Sequence, residues 1–336
     1  MFQELTVDLR RAPEDRWHLT PAQCQQGREL LASYRADLGI SKDASELLLS
    51  SAREVVRAEH WAEMEALSRL VDLPMSDVAL GNFYYDVLKV VLGRMLGCTA
   101  FAVDGPDGVL HARNLDWWTE NAALARFTCV CHFVGGPAGP FTIIGWPGFI
   151  GAFSGIAPGR FAVTLNAVLS REPAQLATPV VLLLRSVLEQ AGSFEEALAL
   201  LSETLIPCDC LLLLTGIRSC ELVVIERTPS HCAIRQARDG YVGVTNGYQQ
   251  LTAGLGGTSS ELLATSCQRL LRVEALIGNK RPRNPQDCFR YLSDPEIRMQ
   301  MTVQQMVFRA ATGEHWLEFP SPLWPNPSDV QPSPLP

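Results

Sequence analysis

The chain has 336 residues, of which 47% are apolar and 19% charged, with a formal net charge of −8. This composition suits a folded protein and argues against wholesale disorder. Scattered Lys and Arg on an acidic background leave no electrostatic footprint for nucleic acid, and at most transient contact with a membrane surface.

The opening MFQELTVDLRRAPEDRW carries acidic residues and no apolar h-region, so a cytoplasmic chain without a signal peptide is expected. Residues 21 to 97 read as mostly helical: PAQCQQGRELLASYRADL, SKDASELLLSSAREVVRAEHWAEMEALSRLV and SDVALGNFYYDVLKVVLGRML place apolar residues at helical spacing. Pro74 interrupts this run, and Ser76 is the expected N-cap of the restart. From 98 onward the texture becomes short β-type runs between turn residues: CTAFAVD, VLHARNLDW, FTCVCHFVG, FTIIGWPG and RFAVTLNAV. GPDG at 105–108 predicts a hairpin over 98–117. Helical PVVLLLRSVLEQA and SFEEALALLSETL follow, and Ser193 with Glu196 has capping-box spacing. Strands resume in CLLLLTG, CELVVIER, HCAIRQA and GYVGVTN before a late helix, SSELLATSCQRLLRVEALI. The tail over 318–336 is proline-rich and expected to be irregular.

The most apolar runs, VVLLL at 180–184 and LLLLTGI at 211–217, fall far short of the ~20 residues that cross a bilayer. The order of elements predicts an α+β fold with antiparallel sheets packed between helical layers. Strand and helix do not alternate as a Rossmann domain requires, Gly254, Gly256 and Gly257 make an incomplete glycine fingerprint, and neither a P-loop nor a GxSxG elbow occurs. Ten cysteines are too few for a disulfide scaffold at this length. CVC at 129–131, beside His132, and CDC at 208–210 put thiols on one strand face. Without CxxC pairs or HExxH the better reading is buried thiols, so neither a metal nor an organic cofactor is expected.

One stretch, GCTAFAVDGPDGVLHARNLDWW at 97–118, gathers residues that are costly to bury without partners: Cys98, Arg113 and Asp116. A cysteine becomes a useful nucleophile when a base favours its thiolate. His111 shares a strand face with Arg113 and is one candidate base. A second route needs no histidine: a cut before Cys98 creates an α-amine, pKa about 8, on the residue that bears the thiol. Gly97 suits such a cut because it lacks a Cβ. Arg113 would then stabilise the thiolate and Asp116 would hold the amine.

These residues and their flanks resemble the cysteine N-terminal-nucleophile (Ntn) amidases related to acid ceramidase and N-acylethanolamine acid amidase. Bile-salt hydrolases, penicillin V hydrolases and isopenicillin acyltransferases are more distant relatives. The likeness is carried by LTVDLRRAPEDRW, DVALGNFYYDV, GCTAF with GVLHARNLDWW, WPGFIGAFSGIAPGRFAVTLNAV, PVVLLLRSVLEQAGSFEEALALLSET, GYVGVTN and MTVQQMVFRAATGEHW, in that order. It implies an αββα sandwich and self-cleavage between Gly97 and Cys98. The products would be a helical segment, 1–97, and a catalytic segment, 98–336, remaining together as one integrated fold.

The resemblance further implies hydrolysis of a non-peptide amide, often a fatty acyl amide. Cys98 would be nucleophile and base, Arg113 and Asp116 its supports, and Asn246 in VTN an oxyanion-hole donor. Asn166 in TLN is a second polar candidate. The sequence also departs from the pattern: Ala167 follows TLN where relatives often carry an acid, GYQQL follows VTN, and Leu263 and Ala264 replace paired arginines before Thr265. Arg269 in SCQR is either a site residue or an arginine on a solvated helix face. Trp117, Trp118 and Trp146 either line an acyl pocket or belong to the core. Acyl transfer to an amine, and an unprocessed lipid-binding protein without catalysis, remain the alternatives to hydrolysis.

Overall fold

The computed structural model describes residues 2–92, 97–117, 122–251 and 261–319. Trp118, the glycines at 254–257 and the tail from 320 lie outside the described residues, as do the side chains of Leu263 and Ala264.

The first segment is helical, as its periodicity predicts: α1 (Pro21–Leu38), α2 (Lys42–Ala52), α3 (Ala58–Val71), α4 (Met75–Asn82) and α5 (Tyr84–Leu92). A reciprocal capping box between Thr20 and Gln23, with Pro21 as first residue, starts α1. Ser76 is not a cap. Pro74, held extended at ψ 144, takes the cap position two residues earlier, so the helix already runs through Ser76.

This segment also contributes a strand. β1 (Gln3–Asp8) pairs in parallel with β4 (Cys129–Val134), Gln3 opposite Cys129 and Asp8 opposite Val134. Among the described strands this edge is parallel, whereas every other pair is antiparallel as expected. A parallel partner needs a long crossover, and the chain between β1 and β4, which includes α1–α5 and a hairpin of the second sheet, provides it.

Between these lie β2 (Gly97–Gly105), β3 (Gly108–Asp116) and α6 (Ala123–Arg126). β2 and β3 close the expected hairpin across Pro106-Asp107, with Gly108 at φ +104 where a side chain would be strained. After β4 come β5 (Phe141–Gly145), β6 (Ser154–Ala157), β7 (Phe161–Asn166), α7 (Val180–Gln190) and α8 (Phe194–Glu203). Then follow β8 (Cys210–Thr215), β9 (Leu222–Arg227), β10 (Cys232–Gln236), β11 (Tyr241–Val244), α9 (Glu261–Asn279), α10 (Pro285–Leu292), β12 (Thr302–Arg309) and β13 (Glu314–Glu318). The box at α8 is half formed: Ser193 accepts from the Glu196 N–H, whereas the Glu196 carboxylate takes the Gly192 N–H.

The strands form an eight-stranded sheet, β1-β4-β5-β6-β7-β8-β9-β10, and a five-stranded sheet, β11-β2-β3-β12-β13. Alternation along each strand decides which layer a side chain enters. Ala100, Ala102 and Val109 meet Leu211, Leu213 and Val224 between the sheets. Phe101, Val103, Leu110 and Ala112 point the other way, onto Val273 and Ile277 of α9 and Phe289 and Leu292 of α10. Leu212, Leu214, Val223 and Ile225 pack outward with α7 and α8. The result is a helix–sheet–sheet–helix sandwich, the α+β architecture expected. Buried ion pairs tie the helical segment to it: Arg16 and Arg185 both reach Glu63 Oε1, at 2.8 and 3.3 Å. Among the described residues no helix is long and apolar enough to cross a membrane.

Candidate active site

Cys98 opens β2 on the face turned toward the large sheet and is 1% exposed. Its Sγ lies 3.3 Å from Arg113 Nη2 and 3.8 Å from the Leu165 carbonyl oxygen. Cross-strand register explains the first contact: Cys98 faces Leu115, Ala100 faces Arg113, and directly opposed residues share a face.

Arg113 is fully buried. Nη1 donates to Phe153 O at 2.7 Å and to Ser154 Oγ; Nη2 donates to Leu165 O at 2.5 Å as well as to the thiol. None of these acceptors is a carboxylate. The guanidinium is held by neutral oxygens and keeps its positive charge aimed at the sulfur, where a thiolate would be stabilised.

The structure separates two residues that the sequence reading grouped. Three positions along a strand reverse the face, so Asp116 lies opposite Gly97 rather than beside the thiol. Thr302 Oγ1 donates to Asp116 Oδ1 at 2.5 Å, and Oδ2 has no hydrogen-bond partner among the described residues. Burial pushes this carboxyl upward, while Arg269, Thr302 and Arg113 oppose the shift. Gly97 is pressed against it. A Cβ there would fall 2.8 Å from Asp116 Cβ, 2.9 Å from Met299 Sδ and 3.3 Å from Asp116 Oδ2. Only glycine fits without displacing the carboxylate.

His111 does not serve the thiol. Its ring nitrogens bridge Thr215 Oγ1 at 3.0 Å and Thr164 Oγ1 at 2.8 Å, and burial together with Arg113 pushes its pKa down to about 3. It is a neutral tie between β3, β7 and β8.

Asn246 and Arg269 close the other side. Arg269 is 3% exposed, so it does not occupy a solvated face. Its Nη1 donates to Cys98 O at 2.7 Å and Thr99 Oγ1 at 2.8 Å, and its Nη2 to Asn246 Oδ1 at 2.7 Å. Arginine can only donate, so this contact fixes which end of the Asn246 amide is oxygen. That oxygen also accepts the Cys98 N–H at 3.1 Å, whereas Nδ2 donates to Ala167 O at 2.8 Å. The amide donor expected to face an oxyanion is thus engaged by a backbone carbonyl. Asn166 Nδ2 donates to Val244 O and Thr245 O, joining the ends of β7 and β11, and its Oδ1 has no partner among the described residues.

Sequence reasoning missed Ser154, Ser266 and Thr302. Ser266 accepts the Asn246 N–H at 2.9 Å and stands one helical turn before Arg269, so the i, i+3 rule would have found it. Thr302 is 186 positions from Asp116 and carried no local signal.

Trp117 and Trp146 are buried in an aromatic cluster with Phe153, and Trp146 Nε1 donates to Leu124 O at 2.7 Å. The sulfurs of Cys129 and Cys131 lie 3.4 Å apart in the core. Cys208 donates to Asp86 Oδ1 at 3.3 Å, and burial pushes the Cys210 thiol up to about 12. Among the described residues no cluster of three or more His, Cys, Asp or Glu could hold a metal ion.

A sandwich of this order, with its thiol at the head of a strand between the sheets, has the fold of the Ntn hydrolases. The family model for acyl-coenzyme A:6-aminopenicillanic acid acyl-transferase matches residues 103–308, and the chain belongs to that family. It is 26% identical over 192 residues to an acid ceramidase of Balaenoptera acutorostrata scammoni, covering 49% of this chain and 46% of that protein. It is 28% identical over 180 residues to an N-acylethanolamine-hydrolyzing acid amidase of Caenorhabditis elegans, covering 49% and 50%. The chain spans about half the length of these relatives. A solved Caenorhabditis elegans ortholog of that amidase superposes with a TM-score of 0.53 at 20% identity, over 66% of this chain and all of the other.

Proposed function

We propose that the protein is a self-processing N-acyl amide hydrolase whose nucleophile is Cys98. The observation that carries this reading is the convergence of Arg113, Asn246 and Arg269 on one buried cysteine preceded by a glycine that admits no Cβ.

While Gly97 and Cys98 are joined, the Cys98 nitrogen is an amide and cannot act as a base. In maturation the thiol adds to the Gly97 carbonyl carbon, the C–N bond breaks, and the thiol proton passes to the departing nitrogen. Water hydrolyses the resulting thioester, leaving a free thiol and an α-amine at Cys98. The unpartnered Asp116 Oδ2 supports a place for that new ammonium, beside the position Gly97 vacates.

In turnover the amine takes the thiol proton, Sγ attacks the substrate carbonyl, and the proton leaves with the released amine. Arg113 stabilises the thiolate. The developing oxyanion displaces Ala167 O from Asn246 Nδ2, gaining a donor of a kind worth roughly 3 kcal/mol. Water then releases the carboxylic acid. The named activities of the relatives, acid ceramidase and N-acylethanolamine-hydrolyzing amidase, support a fatty acyl amide as substrate. The family's own name favours one second reading, in which an amine intercepts the thioester in place of water.

Mass spectrometry of purified protein tests the first step. The expected result is two fragments, one ending at Gly97 and one starting at Cys98, with Cys98→Ala remaining a single chain. A fully active chain still joined at that bond overturns the proposal. A panel of N-acyl amides, with and without an added amine acceptor, then separates acid from transferred amide as product.

A further inference from the structure

Away from Cys98, a groove of about 280 Å³ runs between α2, α5 and the loop ahead of α7. Leu48, Ala52, Val55, Phe83 and Val87 form its walls. Leu176, 56% exposed, also lines the groove. Its size is just below the range of sites for drug-sized molecules, roughly 300–1,000 Å³, and suits a smaller ligand.

The apolar lining has one charged exception. Asp86 contributes to the groove and is 6% exposed. Its Oδ1 accepts the Val180 N–H at 3.1 Å and the Cys208 thiol at 3.3 Å, whereas Oδ2 has no partner among the described residues. Lys89, one turn further along α5, is committed elsewhere. Its ammonium donates to Val168 O and, at 2.6 Å, to Asp209 O, and lies 3.6 Å from Asp209 Oδ2. A buried carboxylate oxygen left without a donor is expensive, so the site lacks a hydrogen bond that a ligand can supply.

We propose that this groove binds a straight-chain alkyl amine, its hydrocarbon along the Leu48–Val55–Phe83 walls and its ammonium on Asp86 Oδ2. A cation matches the unmet charge. An alcohol meets only the missing hydrogen bond, and a carboxylate meets repulsion. Burial pushes the Asp86 carboxyl up to about 6, with the Val180 N–H, the Cys208 thiol and the Lys89 charge opposing the shift only in part. The groove shares no residue with the Cys98 cluster, and the proposal does not depend on the hydrolase reading.

Calorimetric titration of the full chain at pH 7.5 with n-octylamine, 1-octanol and octanoate tests it. Octylamine is expected to bind at least tenfold more tightly than octanol, and octanoate not to bind. Asp86→Asn should weaken octylamine at least tenfold while leaving octanol unchanged. Leu176→Arg, at an exposed position, should repel the amine to a similar degree. Cys98→Ser should leave amine affinity intact, which keeps this result separate from the fate of the proposed nucleophile. Equal affinity for all three ligands, no amine binding, or full amine affinity in Asp86→Asn overturns the proposal. If Asp86→Asn does not fold, full amine affinity in Leu176→Arg overturns it instead.

Discussion

Two fully buried arginines show how identical side chains come to do different work. Arg185 lies between carboxylates: Glu63 Oε1 at 3.3 Å and Glu189 Oε2 at 3.6 Å, with Phe133 stacked 4.0 Å from its guanidinium. Arg113 makes its hydrogen bonds only to carbonyls, one hydroxyl and a thiol, and the Asp116 carboxyl acts on it only at longer range. The first is neutralised and joins α7 to α3 across the proposed cleavage products. The second retains charge in a low-dielectric interior, where it acts most strongly on whatever anion forms nearby. The partners, rather than burial, distinguish a structural arginine from one poised for chemistry.

The sharpest way to break this contrast is to remove the anion that Arg113 is meant to serve. Cys98→Ala is expected to abolish both chain cleavage and acyl-thioester formation, read by intact-protein mass spectrometry after exposure to an N-acyl amide. Next in size, Glu63→Gln should destabilise the fold by about 3 kcal/mol in urea unfolding, because it removes the buried carboxylate that Arg16 and Arg185 share and leaves them only Glu59 and Glu189. A loss below about 1 kcal/mol would show that this network is not the tie described. Arg113→Met should instead lower kcat about 10²-fold, near 2.7 kcal/mol of transition-state stabilisation. If its only consequence were a lower unfolding free energy, the two arginines would be alike.

The smallest effect concerns His111, whose neutrality Arg113 reinforces. Its folded pKa, about 3, lies below the unfolded value near 6.5, so protons favour the unfolded chain. Its contribution is complete above about pH 6.5 and is lost as pH falls toward 3. Between pH 7 and pH 5 the wild type should lose about 2 kcal/mol more than His111→Gln, which keeps a donor and an acceptor for the two threonines. Parallel stability curves for the two proteins would rule out this assignment.

How much of the site could be read from the chain depends on sequence distance. The 98–117 hairpin was legible because GPDG fixes a two-residue turn, and the turn fixes the register that brings Arg113 to the Cys98 face. The same alternation already separated Arg113 from Asp116, three positions apart, although residue type suggested a single cluster. Arg269 gave no such warning. Its bond to Cys98 O spans 171 positions, and helical periodicity alone could not distinguish a solvated face from one docked on a strand end. Asn246 was identified by its motif, but the direction of its amide was set by Arg269 and Ala167.

The sequence by itself determined the helical first segment, the hairpin and the layered α+β class, because caps, turns and alternation act within a few residues of their cause. Only the tertiary structure decided that β1 would join the sheet in parallel, which carbonyls would hold Arg113, and which oxygen of Asp86 would be left alone. Those outcomes depend on groups that lie from 40 to 122 positions or more apart along the chain, and no local preference encodes which partners will be present.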